Sequence, residues 1–343
     1  MKALQITNPG RLEVIDLPQP APAPGEVLLR IQYVGFCGSD LSTYRGRNAL
    51  ALSPVVPGHE ISATIERTGP GVPDGFRPGQ VVTVNPYTAC GTCPSCRRRR
   101  PNACQYNQTL GVQRHGAMSE WLCVPWQKVI AADGLPPRDV ALVEPMSVGF
   151  HAVDRGQVTD TDTVLVIGCG MIGVGAIVRA SLRGATVIAA DLDDEKLSLA
   201  RRLGASATVN TGGEDCHARL QELTGGCGPD VVIEAVGSAV TYALAVEEVA
   251  FTGRIVCIGY APGDVSLPTR LFVQKELNVC GSRNALPDDF RAAIRYLRRG
   301  ECPTDSLVSA VVRPEDAARA MAGWDAAPGR VFRILVDFRQ ARG

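Results

Sequence analysis

Apolar and polar residues alternate in short runs through the first part of the chain, up to about residue 145. The runs LEVIDLP, GEVLLRIQYVGFC and GQVVTVNPY show this two-residue period, and Gly and Pro separate them. Because successive side chains of a strand point to opposite faces of a sheet, the pattern predicts short strands with one buried face. Short strands between turn residues favour a barrel-like β domain.

A different pattern begins near residue 160, where continuous apolar runs replace the alternation. The runs DTVLVIG, ATVIAAD, PDVVIEAVG and GRIVCIGY predict buried strands. Between them, MIGVGAIVRASLRG, DEKLSLARRLG and VTYALAVEEVAF predict helices, and Gly184 and Gly204 are expected to end the first two of these. Strands that alternate with helices predict a parallel, doubly wound sheet with helices on both faces.

The last part of the chain, after LNVCGS, predicts one more helix in DDFRAAIRYLRRG and a final strand in RVFRILVDF. We expect both to return to the β domain, which makes the α/β domain an insertion. The predicted domains are residues 1–148 together with 286–343, and residues 149–285. A length of 343 residues is sufficient for two domains of ordinary size.

Composition and charge narrow the possible partners and the compartment. Hydrophobic residues make up 45% and charged residues 20% of the chain, and 35 basic side chains balance 35 acidic ones. A neutral chain argues against nucleic acid as a partner, because phosphate contacts need an excess of basic residues. No apolar run has the length of a signal sequence or a membrane span, so we expect a soluble cytoplasmic protein. Because thiols stay reduced there, clustered members of the 12 cysteines are better explained as metal ligands than as disulfides.

The run VLVIGCGMIGVG carries three glycines in G-x-G-x-x-G spacing between a predicted strand and a predicted helix. The first glycine allows a tight turn, the second lets a pyrophosphate approach the backbone, and the third allows close packing of helix on strand. The residues expected to hold a dinucleotide here are Gly168, Gly170, Met171, Ile172 and Gly173. The alternative is a nucleotide-free α/β domain in which these glycines serve packing alone.

Asp191 ends the next predicted strand, 18 residues after Gly173, where a carboxylate can accept hydrogen bonds from both hydroxyls of an adenosine ribose. Acidic residues follow Asp191 and no Arg lies beside it, so a 2′-phosphate would be repelled and NAD is expected rather than NADP. Val236, Gly237 and Gly259 lie at the ends of later strands, where parallel sheets bind ligands, although turn geometry alone would also explain the glycines.

The stretch YTACGTCPSCRRRRPNAC holds four cysteines, Cys90, Cys93, Cys96 and Cys104, with Arg97–Arg100 between the last two. Such a stretch is compatible with a catalytic metal, a structural metal or a basic zinc module that binds nucleic acid. Four thiolates complete a tetrahedral zinc and leave no open position, which favours a structural site in a lobe of about residues 87–105. The neutral chain disfavours nucleic acid, so we expect the arginines at a solvated surface or against acidic groups of a partner subunit.

Further candidate ligands are spread over separate short motifs. VGFCGSD carries Cys37 and Ser39, VVPGHE carries His59 and Glu60, and LVEPMSVGFHA carries Glu144. An isolated cysteine or histidine is more often a structural residue than a ligand. In their order and spacing, however, these motifs together with the four cysteines and GCGMIG resemble the zinc-dependent medium-chain alcohol and polyol dehydrogenases over essentially the whole chain. EPMSVGFHA and GSRNALPDDF resemble most closely the branch of sorbitol, threonine and sugar-acid dehydrogenases, the last of the L-galactonate or L-gulonate type.

This resemblance implies a fold, two metals and an oligomer. The fold is a GroES-like β-barrel catalytic domain with an inserted Rossmann domain, and each subunit holds one catalytic and one structural zinc. The catalytic ligands correspond to Cys37, His59 and Glu144, while Glu60 is a direct ligand in some members and a neighbour of the ligands in others. Ser39 corresponds to the hydroxyl that starts the proton relay. Relatives are usually dimers or tetramers, so we expect a homo-oligomer.

Some positions depart from the family pattern. Ser42 replaces the histidine that many members use as the outer relay group, so the proton is expected to leave through water or another group, and a threonine substrate is less favoured. Ala63 replaces a glycine, with little expected consequence. Arg99 stands where relatives commonly have a glycine, and a turn that needs a positive φ would strain it.

Basic residues near the predicted substrate site have two explanations each. Arg114 and His115 could meet a carboxylate or phosphate of the substrate, or lie in a solvated loop. Arg283, followed by Asn284, could hold the carboxylate of a sugar acid or form an inter-domain salt bridge. We expect structural or surface roles for the remaining histidines, which are His151 and His217.

Two classes of function remain after these arguments. One is an NAD-dependent zinc dehydrogenase, and the other is a non-catalytic protein that binds NAD or zinc on the same scaffold. Joint presence of five residues favours the enzyme, because sensing needs neither a metal fit for hydride transfer nor a relay hydroxyl. These residues are Cys37, Ser39, His59, Glu144 and Asp191. A zinc-free quinone or enone reductase of the same superfamily would lack these ligands and the four-cysteine lobe. We therefore predict hydride transfer to NAD from a secondary alcohol of a small-molecule polyol, sugar acid or cyclitol.

Overall fold

The computed structural model of the chain describes residues 1–339. Contacts between residues divide it into two compact units, one formed by residues 1–144 and the chain from Leu286 onward, the other by Pro145–Ala285. The second unit is therefore inserted into the first, and the boundaries fall at residues 144/145 and 285/286.

The strands, in chain order, are β1 (Lys2–Asn8), β2 (Arg11–Asp16), β3 (Glu26–Gly35), β4 (Glu60–Thr68), β5 (Val81–Val84), β6 (Trp121–Pro125), β7 (Val129–Ala131), β8 (Thr163–Ile167), β9 (Thr186–Asp191), β10 (Ala207–Asn210), β11 (Val231–Glu234), β12 (Arg254–Cys257), β13 (Asn278–Gly281), β14 (Ala310–Val312) and β15 (Ile334–Asp337). The α-helices are α1 (Gly38–Tyr44), α2 (Pro94–Arg97), α3 (Pro137–Val140), α4 (Val143–Arg155), α5 (Met171–Leu182), α6 (Asp194–Arg202), α7 (Cys216–Leu223), α8 (Ala239–Glu248), α9 (Thr269–Gln274), α10 (Pro287–Leu297), α11 (Thr304–Leu307) and α12 (Ala317–Ala326). Short 3-10 turns occupy Pro101–Ala103, Trp126–Lys128, Pro314–Asp316 and Pro328–Arg330.

The first unit is built on a β-sheet in which the strands follow the order β14-β15-β3-β4-β5-β7, and β6 also pairs with β3. Alternating residues of the long central strands, such as Leu29, Ile31 and Ile65, are at most 1% exposed and form its core. The alternation seen in the sequence therefore becomes a buried face, and the expected GroES-like β fold is confirmed.

Pairing around β3 decides which residues lie near the end of that strand. β3 and β4 are antiparallel with Gly35 opposite Glu60, and β15 runs antiparallel to β3 on its other side with Leu335 opposite Gly35. The end of β3, the beginning of β4 and the beginning of β15 therefore meet at one place, because antiparallel neighbours exchange their ends.

The second unit contains a parallel sheet with the strand order β10-β9-β8-β11-β12-β13. The order reverses at β8, which is the arrangement of a doubly wound dinucleotide-binding sheet, and this part of the prediction is confirmed. Gly184 and Gly204 follow α5 and α6 with φ values of 86° and 110°, as expected for glycines that end helices. Sequence patterns did not identify β10 or α7, because their short runs, ATVN and CHARLQEL, are only partly apolar.

Among residues 1–339, none of the helices combines the length and the apolar character that crossing a membrane requires.

Candidate active site

Cys37, His59 and Glu60 come together through the pairing of two strands. Cys37 follows the end of β3 by two residues, and His59 directly precedes β4, which begins at Glu60. The Cys37 sulfur, a His59 ring nitrogen and a Glu60 carboxylate oxygen all lie within 4.8 Å of one another. His59 is 6% exposed and Glu60 is fully buried. Strand pairing therefore brings three possible metal ligands together at a site that is largely shielded from solvent.

These side chains fit a bound cation because two of their polar atoms have no hydrogen-bond partner. His59 Nδ1 and Glu60 Oε1 are buried without one. Leaving such atoms unsatisfied costs about 1–3 kcal/mol each, so buried polar groups normally have partners. Sulfur, imidazole nitrogen and carboxylate oxygen together form a ligand set that zinc accepts. The residues present therefore fit a zinc ion.

The charge state of the cysteine agrees with this assignment. Burial by itself would raise the pKa of the Cys37 thiol, but the neighbouring His59 and the charge of Arg333 together outweigh burial and lower this pKa to about 7. Cys37 also caps α1, and its backbone N–H donates to Asp40 Oδ2 at 2.8 Å. A thiol beside a histidine at a helix N-terminus ionises readily, and the thiolate is the form that binds metals.

The Glu60 carboxylate pairs with Arg333 and lies against Gly35. Neither residue was identified from the sequence as part of the candidate site. Arg333 Nε lies 3.1 Å from Glu60 Oε2, and both side chains are at most 5% exposed. Arg333 Nη1 also donates to the Phe36 carbonyl oxygen at 2.6 Å. A Cβ on Gly35 would lie 2.1 Å from Glu60 Oε2, so only glycine leaves room for the carboxylate. The sequence did contain one indication: Arg333 lies inside the apolar final run RVFRILVDF. A charged residue in a buried strand is almost always paired with an opposite charge.

Glu144 lies in the first turn of α4 and is 4% exposed. Its Oε1 accepts a short hydrogen bond from the Tyr87 hydroxyl, another residue that sequence reasoning missed. Burial raises the pKa of Glu144, while His59 and Tyr87 act in the opposite direction. Glu144 is not part of the three-residue group within 4.8 Å, where Glu60 takes the third place. Glu60 and Glu144 are therefore both candidates for the third protein ligand of a metal ion.

Ser39 lies in α1, two residues after Cys37. Its Oγ is buried and has no hydrogen-bond partner, whereas its backbone oxygen accepts from Thr43 Oγ1 at 2.9 Å. A buried hydroxyl without a partner is available for a substrate group.

The four-cysteine stretch folds into a compact lobe around α2. Cys93 and Cys104 sulfurs lie 3.8 Å apart. Zinc–sulfur bonds of about 2.3 Å in a tetrahedron place sulfurs about 3.8 Å apart, whereas a disulfide needs about 2.05 Å. The sulfurs of all four cysteines lie within 4.8 Å of one another. In addition, the backbone N–H groups of Cys90 and Tyr106 both donate to Cys104 Sγ at 3.3 Å. The lobe therefore fits a structural zinc.

Arg99 in this lobe has a φ of 59°, so the strained turn considered from the sequence is present. The adjacent Arg97 donates through Nη1 to the Thr92 carbonyl oxygen at 2.6 Å. At least one of the four consecutive arginines therefore forms a hydrogen bond within the lobe.

The glycine loop after β8 has the geometry that a dinucleotide needs. Gly168 has a φ of 94°, and a Cβ on Gly173 would lie 1.8 Å from the Gly168 carbonyl oxygen, so both positions require glycine. A Cβ on Gly170 would meet nothing within 4 Å, which leaves the backbone open at the N-terminus of α5. Asp191 Oδ2 accepts from the Cys169 N–H at 2.7 Å, so this carboxylate also holds the loop. An open loop at the positive end of a helix is a suitable place for a pyrophosphate.

The glycines after β11 and β12 pack against each other. A Cβ on Gly259 would lie 2.1 Å from the Gly237 nitrogen, and Gly237 itself has a φ of 81°. Backbone packing therefore explains these two glycines without a ligand. Val236 beside them is 51% exposed, which leaves an apolar side chain available at the end of its strand.

The remaining candidates have structural contacts. His115 is exposed, and its Nδ1 accepts from the Val56 N–H at 3.1 Å. His151 is 5% exposed within α4, while His217 pairs with Glu248 at 2.9 Å. Arg283 follows β13 in the second unit and takes part in at least one interaction.

Comparison with known proteins covers most of the chain. The zinc-binding dehydrogenase family matches residues 172–299, and the alcohol dehydrogenase GroES-like domain matches residues 23–136. L-galactonate-5-dehydrogenase of Escherichia coli K12 is 35% identical over 291 residues, which cover 84% of this chain and 85% of that protein. Among solved structures, RspB of E. coli CFT073, complexed with NADH, is 29% identical with a TM-score of 0.89 over 98% of this chain and 99% of that one. A zinc-binding dehydrogenase of Sinorhizobium meliloti 1021, bound to NADP, is 28% identical with a TM-score of 0.89 over 98% of each chain.

Proposed function

The chain belongs to the zinc-dependent medium-chain alcohol dehydrogenases, and from this premise we propose that it oxidises a secondary alcohol of a polyol, sugar acid or cyclitol with NAD as hydride acceptor. The observation that carries the proposal is the group of Cys37, His59 and Glu60, in which His59 Nδ1 and Glu60 Oε1 lack hydrogen-bond partners, as does the buried hydroxyl of Ser39. In a scaffold that binds neither metal nor substrate, these buried polar atoms would be expected to pair with other protein groups.

Each residue has a distinct task in this reaction. A zinc ion held by Cys37 and His59, with Glu60 or Glu144 as the third ligand, would supply Lewis acidity that lowers the pKa of the substrate hydroxyl. Ser39 would accept the proton of that hydroxyl on Oγ and release the proton it already carries toward solvent. Arg333 offsets the buried negative charge of Glu60. In the proposed order Gly168–Gly173 and Asp191 would bind NAD first, and NAD would supply the acceptor for the hydride of the alcohol carbon.

Asp191 supports NAD as the cofactor, while the similar solved structures include one with NADH and one with NADP. Its carboxylate lies at the end of β9, and Leu192 N and Asp193 N donate to its Oδ1 at 2.8 and 3.1 Å. A 2′-phosphate placed at this carboxylate would meet like charge.

We predict that Asp191→Gly reduces the ratio of kcat/KM for NAD to that for NADP by about 10-fold or more, equivalent to roughly 1.4 kcal/mol. Steady-state kinetics with both cofactors measure this ratio. Asp194→Gly, which removes a carboxylate from the beginning of α6, is the matched control and should leave the ratio nearly unchanged. An unchanged ratio in Asp191→Gly would refute the assignment.

A substrate screen tests the function directly. Purified zinc-loaded protein is given NAD and a panel of polyols, aldonates, cyclitols and threonine, and NADH formation is followed by its absorbance. L-galactonate belongs in the panel because a relative bears the name of a dehydrogenase acting on it. Activity on a polyol, aldonate or cyclitol supports the proposal. No NADH from any compound, despite bound zinc and measurable NAD binding, would favour a non-catalytic NAD-binding and zinc-binding protein.

A further inference from the structure

Tyr87 links the two metal-binding regions of the first unit. Its side chain is 5% exposed, and its hydroxyl donates to Glu144 Oε1. Along the chain it lies only three residues before Cys90, the first cysteine of the lobe. A residue at the base of the four-cysteine lobe thus contacts Glu144, a candidate ligand of the other site.

The lobe fixes the backbone next to Tyr87 through side-chain hydrogen bonds. Thr88 N donates to Asn107 Oδ1 at 3.0 Å, and Gln108 N donates to Thr88 Oγ1 at 2.6 Å. Asn107 N in turn donates to the Cys104 carbonyl oxygen at 3.2 Å. A continuous chain of bonds therefore leads from the fourth cysteine to the residue that follows Tyr87.

The position of the phenol ring is fixed as well. Lys128 Nζ donates to the Tyr87 carbonyl oxygen, and the ring meets the buried Phe290 of α10 edge-on, with centroids 6.4 Å apart at an angle of 69°. A ring held by both backbone and packing presents its hydroxyl in one direction.

We propose that Tyr87 is a positioning residue, which orients the Glu144 carboxylate so that metal is retained at the site of Cys37 and His59, and that the four-cysteine lobe acts on this site through Tyr87. The proposal rests on the proposed function, because it assumes that this site holds zinc and that Glu144 is one of its ligands. The hydroxyl occupies one oxygen of Glu144 and restricts rotation of the carboxylate. Partners that orient a ligand in this way typically account for 10–100-fold in metal affinity.

The test is Tyr87→Phe, which removes the hydroxyl and keeps the ring packed on Phe290. Zinc affinity is measured by competition with a chromophoric chelator, which separates two zinc ions per chain by their affinity and release rate. We expect the zinc of the Cys37 site to bind 10–100-fold more weakly and that of the four-cysteine site to remain unchanged. Turnover of the variant should rise with added Zn²⁺, while KM for the alcohol stays near the wild-type value.

Tyr106→Phe is the matched control. It removes a hydroxyl from the same lobe, but Tyr106 is 64% exposed, so neither zinc affinity should change. Circular dichroism and the melting temperature establish that both variants are folded.

Asn107→Ala tests the contribution of the lobe without removing a cysteine. In the wild-type background it should weaken zinc binding at the Cys37 site, and in the Tyr87→Phe background it should have little further effect on that site. This non-additivity is the property that a double-mutant cycle measures for coupled residues.

Different results of these experiments would contradict the role of Tyr87, the role of the lobe or the proposed function itself. Unchanged zinc affinity in Tyr87→Phe overturns the positioning role, and a raised KM with unchanged zinc affinity would show that Tyr87 contacts substrate instead. Equal effects of Asn107→Ala in both backgrounds overturn the role of the lobe. If wild-type protein binds only one zinc per chain, at the four cysteines, the proposed function itself fails.

Discussion

The two clusters of candidate metal ligands in the first unit are built in opposite ways. The four cysteines come from one stretch of fifteen residues, Cys90 to Cys104. The sulfurs of Cys90 and Cys104 accept hydrogen bonds from backbone N–H groups in this stretch or two residues beyond it. Cys37, His59 and Glu60 come from the facing ends of two strands, and a third strand brings Arg333 to Glu60. One cluster is local in sequence, and the other exists only because the sheet forms.

The surroundings of the two clusters differ accordingly. Cys90 and Cys96 of the lobe are partly or fully exposed and the four ligands are all thiols, which is the composition of a closed structural zinc site. The other cluster is surrounded by buried charge and polar groups, among them Arg333, Asp40 and Glu144. Burial makes its ligand atoms costly to leave unpaired, and a set of three protein ligands would leave a fourth coordination position for substrate. We infer that the first cluster maintains structure and that the second performs chemistry.

Removing one cysteine from each cluster gives the largest expected contrast. Cys37→Ala should lower turnover by more than about 1000-fold, or roughly 4 kcal/mol of activation free energy, because a metal ligand is lost where the hydroxyl is activated. NAD binding and the melting temperature should stay close to wild type. Cys93→Ala should instead lower the melting temperature by on the order of 10 °C, because binding of a structural zinc contributes to folding free energy. Steady-state kinetics, NAD titration and thermal unfolding of both variants supply the comparison.

The same pair of variants could contradict the division of roles. Cys37→Ala protein that still turns over, or wild-type protein whose activity survives complete removal of the zinc of that cluster, is incompatible with the proposed mechanism. Likewise, Cys93→Ala protein that unfolds like wild type would show that the lobe needs no metal.

A smaller effect is expected from Gly35→Ala, which sharpens the comparison by disturbing the strand-built cluster without replacing a candidate ligand. The added Cβ would lie 2.1 Å from Glu60 Oε2, so the carboxylate or the strand must move. We expect the free energy of unfolding to fall by about 1–3 kcal/mol, as for overpacked cores, and the zinc of the Cys37 cluster to be released faster.

Gly38→Ala is the matched control for this prediction. Gly38 lies three residues further on, and a Cβ there would meet nothing within 4 Å. Denaturant unfolding and zinc release should remain near wild type in this variant. If both alanine variants behave alike, then crowding of Glu60 has no role at this cluster.

Much of the fold was predictable because its patterns are local. The change from alternating to continuous apolar runs separates the β unit from the α/β unit, and glycines such as Gly184 end helices through their own backbone freedom. β10 was missed because its four residues carry too little pattern of their own, and the sheet stabilises it through β9.

Within the candidate site, the predictable residues are those with a motif around them. Cys37, Ser39 and His59 belong to short motifs whose combination resembles a known family, whereas Tyr87 and Arg333 have none. Their importance depends on contacts with Glu144 and Glu60, which lie 57 and 273 positions away along the chain. Sequence motifs relate residues at short, fixed separations, so they cannot predict contacts between residues this far apart along the chain.

The sequence by itself determined the four-cysteine lobe and the glycine loop before α5, because in both the interacting atoms belong to neighbouring residues and local chain geometry suffices to join them. Only the tertiary structure decided that Glu60 joins Cys37 and His59, that Arg333 neutralises it and that Tyr87 holds Glu144. Strand register and burial place these groups side by side, and burial turns their charges and unpaired atoms into strong constraints.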